Sequence, residues 1–102
     1  MEEKRVYAIR LVWIKDKEKF AEYQKMARAT KARQDMHIER WLETKDIIGE
    51  GIERPDEIVV TWFDNAEAMK AFENDPEFKK AAEIRDQAVK LVTITAKSIY
   101  SE

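Results

Sequence analysis

Cysteine is absent from the chain, which excludes a disulfide framework, a thiol nucleophile and a cysteine-ligated metal. Histidine is scarce: His37 is the single one among 102 residues, so one chain cannot assemble a multi-histidine zinc site, and no metal is expected. No apolar run approaches the ~20 residues of a membrane-spanning helix, and the charged N-terminal residues lack the apolar core of a signal peptide. A soluble, cytoplasmic protein with no membrane partner is the expectation. Neither sign of charge dominates, with 19 Lys and Arg against 21 Asp and Glu for a net charge of -2. The basic footprint of a nucleic-acid-binding surface is missing, and so is an acidic tail. Glycine and proline number two each, and Gly49, Gly51 and Pro55 fall close together. That cluster marks the one substantial loop.

What remains is 44% hydrophobic and 39% charged, a balance and a length that fit one domain over residues 1–102. Residues 5–14 are apolar at both parities: Val6, Ala8, Val12 and Ile14 on one side, Tyr7, Ile9, Leu11 and Trp13 on the other. A strand with one face in water would alternate, so this one is predicted to be covered on both. Asp16 is placed to cap a helix carrying Phe20, Tyr23, Ala27 and Thr30 on its inner face and fading near Gln34. Residues 37–44 fit a second strand, with Ile38, Arg40 and Leu42 on one side and His37, Glu39 and Trp41 on the other, continued by Ile47 and Ile48. Residues 57–63 are again apolar at both parities, as a central strand would be. Asp64 with Glu67 fits a helix cap, and Met69 and Phe72 form that helix's inner face. Asp75-Pro76-Glu77 restarts a helix bearing Phe78, Ala81, Ala82 and Arg85, which runs to about Ala88. Residues 89–100 close the chain as a strand.

The order is βαββαβ with the second helix broken near Asp75-Pro76. In an α+β chain of this length, it most simply makes a four-stranded antiparallel sheet with the helices on one face. Helices on one face leave the other bare, yet the first and third strands are apolar on both. An exposed patch of that size is rare on a soluble monomer. A homodimer, two sheets face to face, is therefore expected.

The segment from Ile58 to Phe72, a strand running into a capped helix with an aromatic end, carries a family resemblance. Asn74-Asp75-Pro76-Glu77-Phe78-Lys79 and the helix start at Asp16, Phe20 and Tyr23 extend it over nearly the whole chain. It resembles the dimeric α/β-barrel superfamily of ferredoxin-like fold, in its uncharacterised DUF-type branch. It is similar, more distantly, to the antibiotic-biosynthesis and heme-degrading monooxygenases. The resemblance implies a ferredoxin-like dimeric α/β barrel and a cofactor-independent enzyme, monooxygenase- or isomerase-like, acting on a small aromatic or enolic molecule. The heme-degrading members use a first-strand asparagine, a tryptophan and an axial histidine. Here residues 5–14 hold no asparagine, and the other two places are Phe72 and Ala82, so heme degradation by that route is not implied. One scaffold hosting unrelated chemistries leaves a second reading, a non-catalytic ligand-binding or structural homodimer whose cavity is filled by its own side chains.

Candidate site residues follow from the few polar groups among apolar strands. His37 is the one side chain that titrates near neutrality without help, which makes it the candidate catalytic base; Glu39, on the same side by alternation, could orient it. Of the three tryptophans, Trp41 sits among charges and Trp62 in the central strand; both are candidates to hold a flat ring. Arg10 interrupts an apolar strand and needs a carboxylate, a carbonyl or an anionic ligand. Its candidate protein partners are Glu39 and Glu43. Together these residues suggest an aromatic or anionic ligand, framed by His37, Trp41, Trp62 and Arg10 and needing no cofactor.

Overall fold

The computed structural model describes residues 5–33 and 36–99. Its elements are β1 (Val6–Ile14), α1 (Lys17–Arg33), β2 (His37–Glu43), β3 (Glu57–Phe63), α2 (Ala66–Glu73), α3 (Pro76–Ala88) and β4 (Val89–Lys97). The strands form one antiparallel sheet in the order β2-β3-β1-β4. The two strands apolar at both parities are thus the two central ones.

Register fixes the faces. Ala8 pairs with Thr61 and with Thr95, and Val12 with Glu57 and with Leu91. Even-numbered positions of β1 therefore share a face with odd-numbered ones of β3 and β4. That face carries the core: Ala8 and Phe63 pack with Tyr23 and Ala27 of α1, Met69 and Phe72 of α2, and Phe78 and Ala81 of α3. A smaller cluster of Val12, Ala88 and Val89 closes one end. The ring of Phe72 lies 5.6 Å from that of Phe63 and 4.2 Å from that of Phe78, tilted in both cases. These three rings tie α2 and α3 to the sheet.

Local signals set most boundaries. Asp16 accepts from the Lys19 backbone N–H at 3.1 Å at the start of α1. Asp75 accepts from the N–H of Glu77 at 2.9 Å and of Phe78 at 3.4 Å, and Pro76 opens α3 where its missing donor is not needed. The α2 cap is Asn65 rather than Asp64: its amide oxygen accepts from Ala68 N–H at 2.8 Å. Gln34 and Tyr100, at the predicted ends of α1 and β4, lie outside the described residues.

The expected continuation of β2 through Ile47 and Ile48 does not form. Both lie in the exposed loop that follows, Ile48 with 95% of its surface open. Gly51, at φ 89°, takes a left-handed conformation that a side chain would strain. Alternation within β2 also fails. The register steps between Ile38 and Arg40, where Ile38 faces Thr61 but Arg40 faces Val60. A bulged residue, Glu39, swaps the faces of everything after it.

Removing the α3 cap by Asp75→Ala is expected to cost about 1 kcal/mol. Phe78→Ala, which empties a buried site against the Phe72 ring, is expected to cost ~3–5 kcal/mol. Urea denaturation with a common slope checks both, and a Phe78→Ala midpoint equal to the wild type's would refute the assigned packing.

Candidate functional site

The sheet presents two unlike surfaces. Its helix-free face carries Tyr7, Ile9, Leu11 and Trp13 of β1, Ile58, Val60 and Trp62 of β3, and Val92, Ile94 and Ala96 of β4. No described helix covers it, and Val92 and Ile94 are 37% and 46% exposed. His37 stands at one side of this face, opposite Trp62 across the β2–β3 ladder. Its ring stacks on the Trp62 indole, with centroids 3.9 Å apart and planes 14° apart. The Arg5 guanidinium lies 3.7 Å from the centroid of the same indole. Among the described residues His37 Nε2 has no hydrogen-bond partner, and Asp64 Oδ1 stands 4.0 Å away. The buried indole N–H of Trp13, on this face too, is also without one.

Arg10 points the other way. It follows Ala8 and precedes Val12 on the face that packs against the helices, paired with Val59 and Thr93. Its Nη1 donates to Thr61 Oγ1 at 3.0 Å, and that hydroxyl donates to the Ala8 carbonyl at 2.8 Å. Among the described residues, no carboxylate lies within ion-pairing distance of the guanidinium; neither Glu39 nor Glu43 serves it. Burial pushes Arg10 below the usual arginine range, the nearby Arg85 adds to that effect, and Tyr23 and Glu73 oppose it. A small cavity of about 40 Å³ opens here between sheet and helices, lined by Arg10, Tyr23, Gln24, Trp41, Thr61 and Arg85 among apolar neighbours. Trp41 belongs to this side because of the bulge, and its indole N–H donates to Glu57 Oε1 at 2.8 Å.

The four residues expected to frame one ligand are thus divided two and two. Arg10 and Trp41 share the helix side; His37 and Trp62 share the open side. Glu39 sits at the bulge, exposed, while the ring His37 stacks on is that of Trp62. The physical reason is the single extra residue in β2, which a strict period of two cannot anticipate. Sequence reasoning placed Tyr23 and Arg85 as inner-face helix positions and passed over Thr61. The available signal was polarity in apolar company: Arg85 extends the Phe78, Ala81, Ala82 stripe, and Thr61 interrupts the β3 row. Among the described residues, no three His, Asp or Glu side chains converge as a metal site.

This architecture defines a class, an α+β protein of ferredoxin-like topology with one uncovered sheet face. Within it, residues 5–98 match the model of DUF1330, a domain of unknown function, and the chain belongs to that family. A protein of unknown function from Rhodopseudomonas palustris has a similar structure, with a TM-score of 0.86 at 18% identity over 98% of this chain and 86% of that one. SnoaB, a cofactor-independent oxygenase from Streptomyces nogalater, superposes with a TM-score of 0.68 at 12% identity over 96% of each chain. A dimeric ferredoxin-like protein of unknown function from Thermobifida fusca gives 0.64 at 14%, over 96% of this chain and 94% of that one. No curated protein matches the sequence. At these identities the likenesses establish the fold.

Arg10→Met removes a charge that has no carboxylate at ion-pairing distance among the described residues and leaves a side chain of similar length in apolar surroundings. The variant is expected to melt at the same temperature as the wild type or a higher one. A fall of several degrees would make Arg10 a structural strut.

Proposed function

We propose that the protein is a homodimer, closed over its helix-free sheet faces, that takes a small aromatic or enolic molecule into the space between sheet and helices and acts on it without a cofactor. One observation carries the ligand site: a guanidinium in largely apolar surroundings, bonded to a single hydroxyl. A charge in such a place is costly unless something compensates it, and a phenolate, enolate or carboxylate does so. Trp41, on the same side, offers a flat apolar wall. The dimer is supported by the uncovered apolar face and by dimeric structures of the same fold. Cofactor-independent oxygenation is the chemistry of SnoaB, and the shared fold supports an enolate-forming reaction here, in which a water beside the bound molecule takes the C–H proton and Arg10 holds the enolate oxygen. On this reading His37 and Trp62 work at the dimer seam, because the sheet stands between them and a molecule held by Arg10.

The second reading, a non-catalytic dimer filled by its own side chains, is favoured by the size of the interlayer cavity. About 40 Å³ holds a few waters and falls far short of the roughly 300 Å³ at the lower end of ligand pockets.

Two measurements test the proposal. Sedimentation should give a dimer, and Ile94→Asp, which puts a charge on the open face, should give a folded monomer. A wild-type monomer would refute the closure. Exchange of acidic C–H hydrogens of enolisable aryl ketones into deuterated water, followed by NMR, reports proton abstraction directly. Wild-type protein is expected to accelerate it, and Arg10→Met to slow it at least ten-fold. No acceleration for any such compound would favour the non-catalytic dimer.

A further inference from the structure

Arg10 and Arg85 line two spaces. One is the small interlayer cavity; the other is a cleft of about 290 Å³ that opens between α2, α3 and the β1–β4 side of the sheet. The cleft is lined by Arg10, Arg85 and Lys79, by Phe78, Ala82 and Leu91, and by Glu73 and Thr93. It is seven times the size of the cavity behind it, near the lower end of small-molecule sites. Three cations face it against one carboxylate. Arg85 is also paired at 3.2 Å with Asp86, an exposed residue that does not line the cleft. Arg10 has no carboxylate at ion-pairing distance among the described residues, so two guanidinium groups border one partly dehydrated space with no protein anion bridging them.

Resting on the proposal that a ligand is held at Arg10, we propose that this cleft is where the ligand sits, and that the ligand is a single-ring monocarboxylate. Its carboxylate is received by Arg10 and Arg85, its ring lies along Phe78, Ala82 and Leu91, and Lys79 draws it in from the rim. Guanidinium forks match a planar carboxylate with two parallel donors, whereas a lysine ammonium acts as a point charge, which fits a rim position. An anion between the arginines converts their mutual repulsion into two attractions. Glu73 on the same wall disfavours a second negative charge and so selects against a phosphate dianion. The volume admits one ring, and Thr93 leaves a hydroxyl for a polar ring substituent.

Three probes that share a 4-nitrophenyl ring test these terms: 4-nitrobenzoate, the nearly isosteric neutral 4-nitrobenzamide, and the larger, dianionic 4-nitrophenyl phosphate. Binding is followed by quenching of tryptophan fluorescence and, independently of quenching, by calorimetry. The carboxylate is expected to bind at least ten-fold tighter than either of the others, and to weaken as salt is raised. Arg85→Gln should remove most of that preference. Lys79→Gln, at an exposed position that leaves the core intact, should weaken 4-nitrobenzoate about three-fold without changing the amide. Equal affinity for 4-nitrobenzoate and 4-nitrobenzamide, both lowered by Arg10→Met, would overturn the carboxylate assignment and leave the ligand site at Arg10 standing. Tightest binding of the phosphate ester would overturn the role of Glu73 and the monoanion. No binding of any probe would overturn the cleft together with the ligand site at Arg10.

Discussion

A four-stranded sheet that is apolar on both faces, with helices enough for one, is the constraint from which the rest follows. Burying apolar area at ~25 cal/mol per Å² stabilises the covered side, where Phe63, Phe72 and Phe78 interlock. The same term acts on the uncovered side, where no described element packs against it. Val92 and Ile94 stay partly open there, and the indole N–H of Trp13 lacks a partner. In the proposed homodimer a second copy would supply the missing layer at no cost in sequence, since one surface that matches itself is all that two-fold symmetry requires.

That division of labour also sorts the polar groups. On the open side, His37, Trp62 and Arg5 form a stack at the β2–β3 margin of the sheet, with centroid distances of 3.9 and 3.7 Å. Such a stack covers the two ring faces while leaving a cation at the margin of the open face. On the helix side, Arg10 projects into the layer that already holds the core. The sheet backbone separates the two groups, so no one small molecule meets both. The bulge at Glu39 completes the partition by turning Trp41 toward the helices.

Much of this was legible in the residue order. The four strands, the break at Asp75-Pro76 and the inner faces of the helices follow from periodicity and caps, because those signals are local and each is decided within a few residues. The doubly apolar strands announced the uncovered face. What stayed hidden was the face of each β2 residue, since a bulge is a one-residue change in pairing with no composition of its own. The Asn65 cap was missed for a similar reason: Asp64 and Asn65 are both good caps, and only the backbone geometry chooses between them. The partner of Arg10 was equally out of reach. Glu39 and Glu43 are close in the chain's pattern, whereas Thr61 becomes a neighbour only once β1 and β3 pair.

Arg10 is the point at which folding and function pull apart. Ala8 and Val12, its neighbours along the same face of β1, are buried apolar residues, and a hydrophobic residue would serve packing at position 10 at least as well. The guanidinium gains one hydroxyl and loses most of its water, with Arg85 close enough to oppose it. On the proposed reading an anion bound beside Arg10 compensates that charge, so the cost of burying it is returned as affinity. On that reading the open cleft beside Arg10 is the anion's place, and among the described residues no carboxylate at ion-pairing distance from Arg10 fills it. A purely structural dimer gains nothing from a charge in that position. The cost of holding Arg10 in the layer between sheet and helices is therefore the strongest physical reason to read that side of the molecule as a binding site.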